Sequence, residues 1–174
     1  MSTTKTIEAT GVSLRLKKVD FLAVGIYAEW IVDVVMEDES TVPCEGSGKM
    51  GIEIHPDLNK ALEKLKSHLG RIVGIEEKKW ASISVTGVTI DDLDGEKPRG
   101  LISGKVPTID GQKSAMSTPF VKLKSSAYPH KSKMLEVLQK VEQEARDYLF
   151  RGKCANPTLF DQVHELWPKM MKAS

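Results

Sequence analysis

Apolar and polar residues alternate from residue 6 to residue 17, with Val12, Leu14 and Leu16 on one side and Ser13, Arg15 and Lys17 on the other. That period of two predicts a half-buried strand with a basic outer face. Residues 18–20 read as a turn. From 21 to 36 the even positions Leu22, Val24, Ile26, Trp30, Val32, Val34 and Met36 stay apolar while Glu29 and Asp33 fall on the other side. The crowd of β-branched and aromatic residues predicts a long strand, paired with the first as an antiparallel hairpin. Residues 37–50 are acidic and rich in Gly and Ser, which predicts a flexible loop, with a short strand at 51–55 to follow. Pro56 suits a helix start, and Leu58, Leu62, Leu65 and Leu69 make one apolar stripe that ends at Gly70 or runs on to Gly74.

Residues 80–124 organise the rest. Three β-type segments, about 81–91, 100–106 and 114–124, are separated by the polar turns 91–99 and 108–112. In the first, Ile83 and Val85 are odd but Val88 and Ile90 even, so a strand that keeps one face buried must absorb an extra residue near Gly87. The pair Asp110-Gly111 is a hairpin signal. A second helix is expected over 132–151, with Met134, Leu138, Val141, Ala145 and Tyr148 or Leu149 as its stripe and Gly152 as its C-cap. The pattern predicts one α+β domain over residues 1–155, an antiparallel sheet of about five strands in the order β-β-α-β-β-β-α with two amphipathic helices. Residues 156–174 are expected to be a short C-terminal amphipathic tail that either packs back on its own domain, the plainer reading, or docks on a partner through Leu159, Phe160 and Trp167.

At 174 residues, 40% hydrophobic and 28% charged, the chain has the length and composition of one folded domain. Residues 1–6 are polar and no run approaches a membrane span, so neither a signal peptide nor membrane insertion is expected. Two cysteines, Cys44 and Cys154, are too few and too distant for a disulfide framework, and reduced thiols in a cytoplasm are the default. No motif indicates catalysis. The histidines His55, His68, His130 and His164 show no metal-ligand spacing, and 46–49 is too short for a phosphate-binding loop. Asp91, Asp92, Asp94 and Glu96 could gather around a divalent ion, but a solvated hairpin turn is the plainer reading. No catalytic residue, metal site or cofactor is therefore assigned.

Net charge is only +1, yet charge is unevenly placed. Lys122, Lys124, Lys131 and Lys133 fall in a stretch without acids, whereas residues 29–53 carry Glu29, Asp33, Glu37, Asp38, Glu39, Glu45 and Glu53 against Lys49. If Arg15 and Lys17 lie near Lys122 and Lys124, strand alternation builds a basic stripe. With Lys105, Lys131 and Lys133 supplying phosphate contacts and Tyr128 a stacking surface, such a stripe suits single-stranded nucleic acid. Its plainer alternative is solvated strand faces with edge lysines. Asn156-Pro157-Thr158-Leu159-Phe160 is similar to the short peptides that dock on bacterial sliding clamps, although an Asn stands where a Gln usually leads.

The segments 85–90 (Val-Thr-Gly-Val-Thr-Ile) and 99–105 (Arg-Gly-Leu-Ile-Ser-Gly-Lys), the Thr118-Pro119 pair and the helix ending Tyr148-Leu149-Phe150-Arg151-Gly152-Lys153 resemble uncharacterised proteins encoded by bacteriophages and prophages, over about residues 82–161. The resemblance implies a bacterial host cytoplasm and a role near phage DNA replication, recombination or counter-defence, and brings no active site. The leading expectation is a nonenzymatic accessory protein of phage DNA metabolism that binds single-stranded DNA. The alternative is a protein-interaction module, such as an inhibitor of a host enzyme or defence protein, acting through the acidic 37–45 loop or the tail. Exposed sheet edges and amphipathic stripes would also suit a homodimer.

Overall fold

A computed structural model describes residues 12–36 and 38–153. Residues 6–11 of the first predicted strand and the tail anchors Leu159, Phe160 and Trp167 lie outside them. The elements run β1 (Val12–Phe21), β2 (Ile26–Val35), β3 (Thr41–Met50), α1 (Pro56–Val73), a 3₁₀ turn (Glu77–Ser82), β4 (Ser84–Asp91), β5 (Arg99–Pro107), β6 (Lys113–Ser117), β7 (Val121–Lys122) and α2 (Lys131–Arg151). The strands form one antiparallel sheet in the order β3-β2-β1-β4-β5-β6, with β7 on the same edge of β5 as β6. This is the expected α+β domain, with seven strands rather than about five.

Three boundaries move, each for a physical reason. β1 continues through the turn expected at 18–20, because a bulge at Lys17 lets Val19 share a face with Leu16 despite their different parity. The hairpin instead turns at residues 22–25, closed by Leu22 N–H to the Gly25 carbonyl at 3.1 Å. The loop expected at 37–50 is mostly strand: β3 pairs with β2 along its whole length. Pro43 is tolerated because β3 is an edge strand, and Gly46 and Gly48 are where the Trp30 ring lies against the backbone. A β-carbon on Gly46 would fall 2.4 Å from Trp30 Nε1. The segment expected at 51–55 contributes only an isolated bridge at Ile54.

In the 80–124 meander the bulge falls between Val85 and Gly87, as the parity change requires. Its last strand is broken at 118–120. Buried Thr118 spans the break, its hydroxyl accepting Ile102 N–H at 3.0 Å and its own N–H reaching the Ile102 carbonyl at 2.9 Å. The helices follow the sequence closely. His55 Nδ1 accepts Asp57 N–H at 3.2 Å to cap α1, Pro56 opens it, and Gly74 and Gly152 close α1 and α2 in left-handed conformations. Both helices cover the same sheet face. Leu58, Leu65 and Leu69 of α1 and Met134, Leu138, Val141 and Tyr148 of α2 bury against Leu16, Val19, Ile26, Val88, Ile90, Ile102 and Val106. Among the described residues no helix is long and apolar enough to cross a membrane.

Candidate nucleic-acid interface

Because both helices lie on one side, the strand positions of opposite parity form an open face. On β5 the buried Gly100, Ile102, Gly104 and Val106 point to the helices, while Arg99, Leu101, Ser103 and Lys105 point away. Register then fixes the neighbours. Asp91 on β4 and Lys122 on β7 flank Arg99, Ser84 and Ala115 flank Lys105, and Lys113 lies opposite Pro107.

This β4–β7 half of the face is cationic. Arg99 binds Asp91 through Nε at 2.8 Å, and its guanidinium lies 5.7 Å from the ring centroid of Phe120, which is 48% exposed. Among the described residues Lys113 reaches only the Ser84 hydroxyl, at 3.2 Å. Lys105 and Lys122 are exposed and take part in no ion pair among the described residues. The Ser103 and Ser117 hydroxyls, 2.8 Å apart, add hydrogen-bonding groups between them. Arg99, Lys113 and Phe120 are missing from the sequence-based set: alternation along β5 puts Arg99 on the face of Lys105, whereas only the register opposite Pro107 puts Lys113 there.

The β1–β3 half differs. Arg15 pairs with Asp33 at 3.3 Å, Lys17 with Glu45 at 2.8 Å and Lys18 with Asp20 at 2.8 Å. Hydrogen bonding to Glu45 raises the Lys17 pKa and lowers that of Glu45. Arg15 and Lys17 are thus neutralised locally, and β4 stands between them and Lys122. A cavity of about 460 Å³ also opens where the outer end of β1 leaves β4, lined on one side by Arg15 and Lys17 and on the other by Asp91 and Phe120. There the Leu16 N–H, left without a strand partner on β4, is taken by buried Glu142 at 3.1 Å.

Lys124 borders the cationic face, lining one cavity with Arg99 and Lys122, and donates to the Gly95 carbonyl at 2.7 Å beside the β4–β5 turn. The remaining predicted residues lie apart from that face. Lys131 donates to the Ser126 carbonyl at 2.7 Å, and Lys133 stands exposed on the first turn of α2. Tyr128 is half-buried, its hydroxyl 2.8 Å from His68 Nδ1 and its ring edge-on to His68 and His130. It stabilises the contact of α1 with the start of α2 and offers little ring surface to a base. The expected stripe is therefore divided, with Lys105 and Lys122 on the cationic face, Arg15 and Lys17 on the neutralised one, and Tyr128, Lys131 and Lys133 at the helix ends.

Burial, reinforced by the charges of Arg71, His130 and Lys133, lowers the His68 pKa from 6.5 to about 4. Between those values the unfolded chain binds a proton that the folded chain refuses, so folding stability falls as pH drops from 6.5 towards 4. We expect urea unfolding to show a loss of roughly 2 kcal/mol over that window that His68→Gln lacks. Equal pH profiles for the two proteins would remove His68 as the cause.

Near the turn, Asp91 is held by Arg99 and Asp94 accepts a hydrogen bond from Gln139 at 3.1 Å. The turn thus tethers the meander to α2. No family model, no curated protein and no solved structure matches this chain.

Proposed function

We propose that this protein binds single-stranded nucleic acid, without catalysis, across the β4–β7 half of its open sheet face. One observation carries the reading: Lys105, Lys113 and Lys122 project from adjacent strands without an ion pair among the described residues, beside Arg99, which Asp91 holds, and Phe120 is exposed next to them, with Asp92 and Glu96 at the turn end of the face. A strand spacing of about 4.8 Å sets neighbouring cations within reach of successive phosphates, and an exposed ring accepts an unpaired base of any identity. The hydroxyls of Ser84, Ser103 and Ser117 offer sequence-neutral contacts. The resemblance to phage-encoded proteins extends this reading to an accessory role in phage DNA metabolism in a bacterial cytoplasm. Fluorescence anisotropy of a labelled oligonucleotide at about 50 and 200 mM salt tests it: with the three unpaired lysines engaged, affinity should fall by roughly one order of magnitude across that range. No binding at the lower salt would end the proposal.

A second reading rests on a different surface. Beyond Trp30 the hairpin of β2 and β3 leaves Ile31, Val32, Val34 and Val35 half-buried and Val42 exposed, so an apolar strand ribbon stands clear of the helices. Such a surface suits a protein partner, a host enzyme or a second copy of the chain. Recovery of one host protein, lost on Val34→Glu, would favour it over the nucleic-acid reading.

A further inference from the structure

The core does not extend over the whole helix side of the sheet. On β2 the even positions point to the helices: Ile26 and Ala28 are buried, and Trp30 meets Phe150 in the last turn of α2, edge to face with ring centroids 5.2 Å apart. The core ends there, at Trp30 and at Leu14 on β1. Val32 and Val34 carry the same parity two and four residues further on, outside it. Register sets Leu14 and Cys44 beside Val32, and Val42 beside Val34. Cys44 and Val42 share the side of Gly46, against which the Trp30 ring lies. An apolar ribbon of Val32, Val34, Val42 and Cys44 thus continues from the exposed ring of Phe150.

We propose that residues 158–167 of this chain's own C-terminal tail cover that ribbon, seating Leu159, Phe160, Val163, Leu166 and Trp167 on Val32, Val34, Val42 and Phe150. The described residues end at Lys153, three after Phe150, so the tail begins at the ribbon's edge. Gly152 closes α2 in a left-handed conformation that turns the chain off the helix axis. The five residues 154–158 reach up to about 17 Å, more than the roughly 10 Å between adjacent packed elements. The lengths also agree. At the helical rise the stripe from Leu159 to Trp167 covers about 12 Å, and β2 runs about 13 Å from Trp30 to Val34. Tethering favours this occupant over a free partner, because a segment a few residues away meets the ribbon at an effective concentration in the millimolar range. The inference stands apart from the nucleic-acid reading, since the β4–β7 cations project from the opposite side of the sheet.

Disulfide trapping in the full chain tests the contact, because Cys44 stands in the middle of the ribbon, opposite Val32, and Val163 is the middle of the stripe. In a Cys154→Ser background, Val163→Cys places a thiol on the stripe and Gln162→Cys places one off it. Mild oxidation of dilute protein should close a disulfide to Cys44 at monomer mass at least about tenfold faster in Val163→Cys than in Gln162→Cys. Adding Val34→Glu, which puts a charge on the ribbon, should bring the Val163→Cys rate down to that of the control. Equal rates in the two cysteine variants, or a rate that Val34→Glu leaves unchanged, overturns the proposal. So does a disulfide found only at dimer mass, which would assign the ribbon to a second copy of the chain.

Discussion

Replacing Tyr148 with alanine is expected to remove about 4 kcal/mol of folding stability, a large share of what a domain of this size possesses. Its ring is fully buried in the core beneath the sheet, so truncation leaves a cavity walled by helices and strands that cannot collapse together. Its hydroxyl adds a second loss. It accepts Ile52 N–H at 3.1 Å and faces the carbonyl oxygens of Ile52 and of Met50, the latter at 3.2 Å, which fixes the chain between the end of β3 and the start of α1. Tyr148→Phe, which keeps the ring and orphans those backbone groups, is expected to cost about 1–3 kcal/mol. Urea unfolding of both variants separates the contributions. A loss in Tyr148→Ala no greater than in Tyr148→Phe would show that the ring is not what the core depends on.

Gly25→Ala is expected to cost about 3 kcal/mol or more, against about 1 kcal/mol for Gly74→Ala. The two glycines share a conformation, with φ of +80° and +78°, so the intrinsic penalty for a side chain is the same. Their surroundings differ. A β-carbon on Gly25 would fall 1.8 Å from the Met50 carbonyl oxygen and 2.8 Å from its carbon, backbone atoms that no rotamer change can move. One on Gly74 meets nothing within 4 Å. The difference between the unfolding midpoints therefore isolates the β1–β2 turn packing against the end of β3. Equal losses would mean that β3 yields at Met50, as a loosely held edge strand could.

The meander, both helices and the bulge before Gly87 were legible because each follows from a period or a parity change within one segment. β3 was not, because its glycines answer to the ring of Trp30 on another strand and its proline is allowed by an edge position, neither of which local pattern reveals. Strict parity also ended β1 too early, at the Lys17 bulge. For the proposed interface, counting lysines along the chain picked out Lys105 and Lys122, which the fold places on one open face. It also gathered residues that the fold separates or neutralises: Arg15 and Lys17 face acids contributed by β2 and β3, and Tyr128 is engaged by His68 of α1.

The open-face account is tested most directly by oligonucleotide titration of the Lys105→Glu/Lys122→Glu double variant beside Lys133→Glu. The double reversal should lower affinity about 100-fold at 50 mM salt and reduce the slope of log affinity against log salt by about 2, with the urea midpoint unchanged. Lys133→Glu, altering a lysine at the start of α2 away from the sheet face, should change affinity less than about twofold. Wild-type affinity in the double variant, or a larger loss in Lys133→Glu, would contradict the assignment of binding to the β4–β7 face.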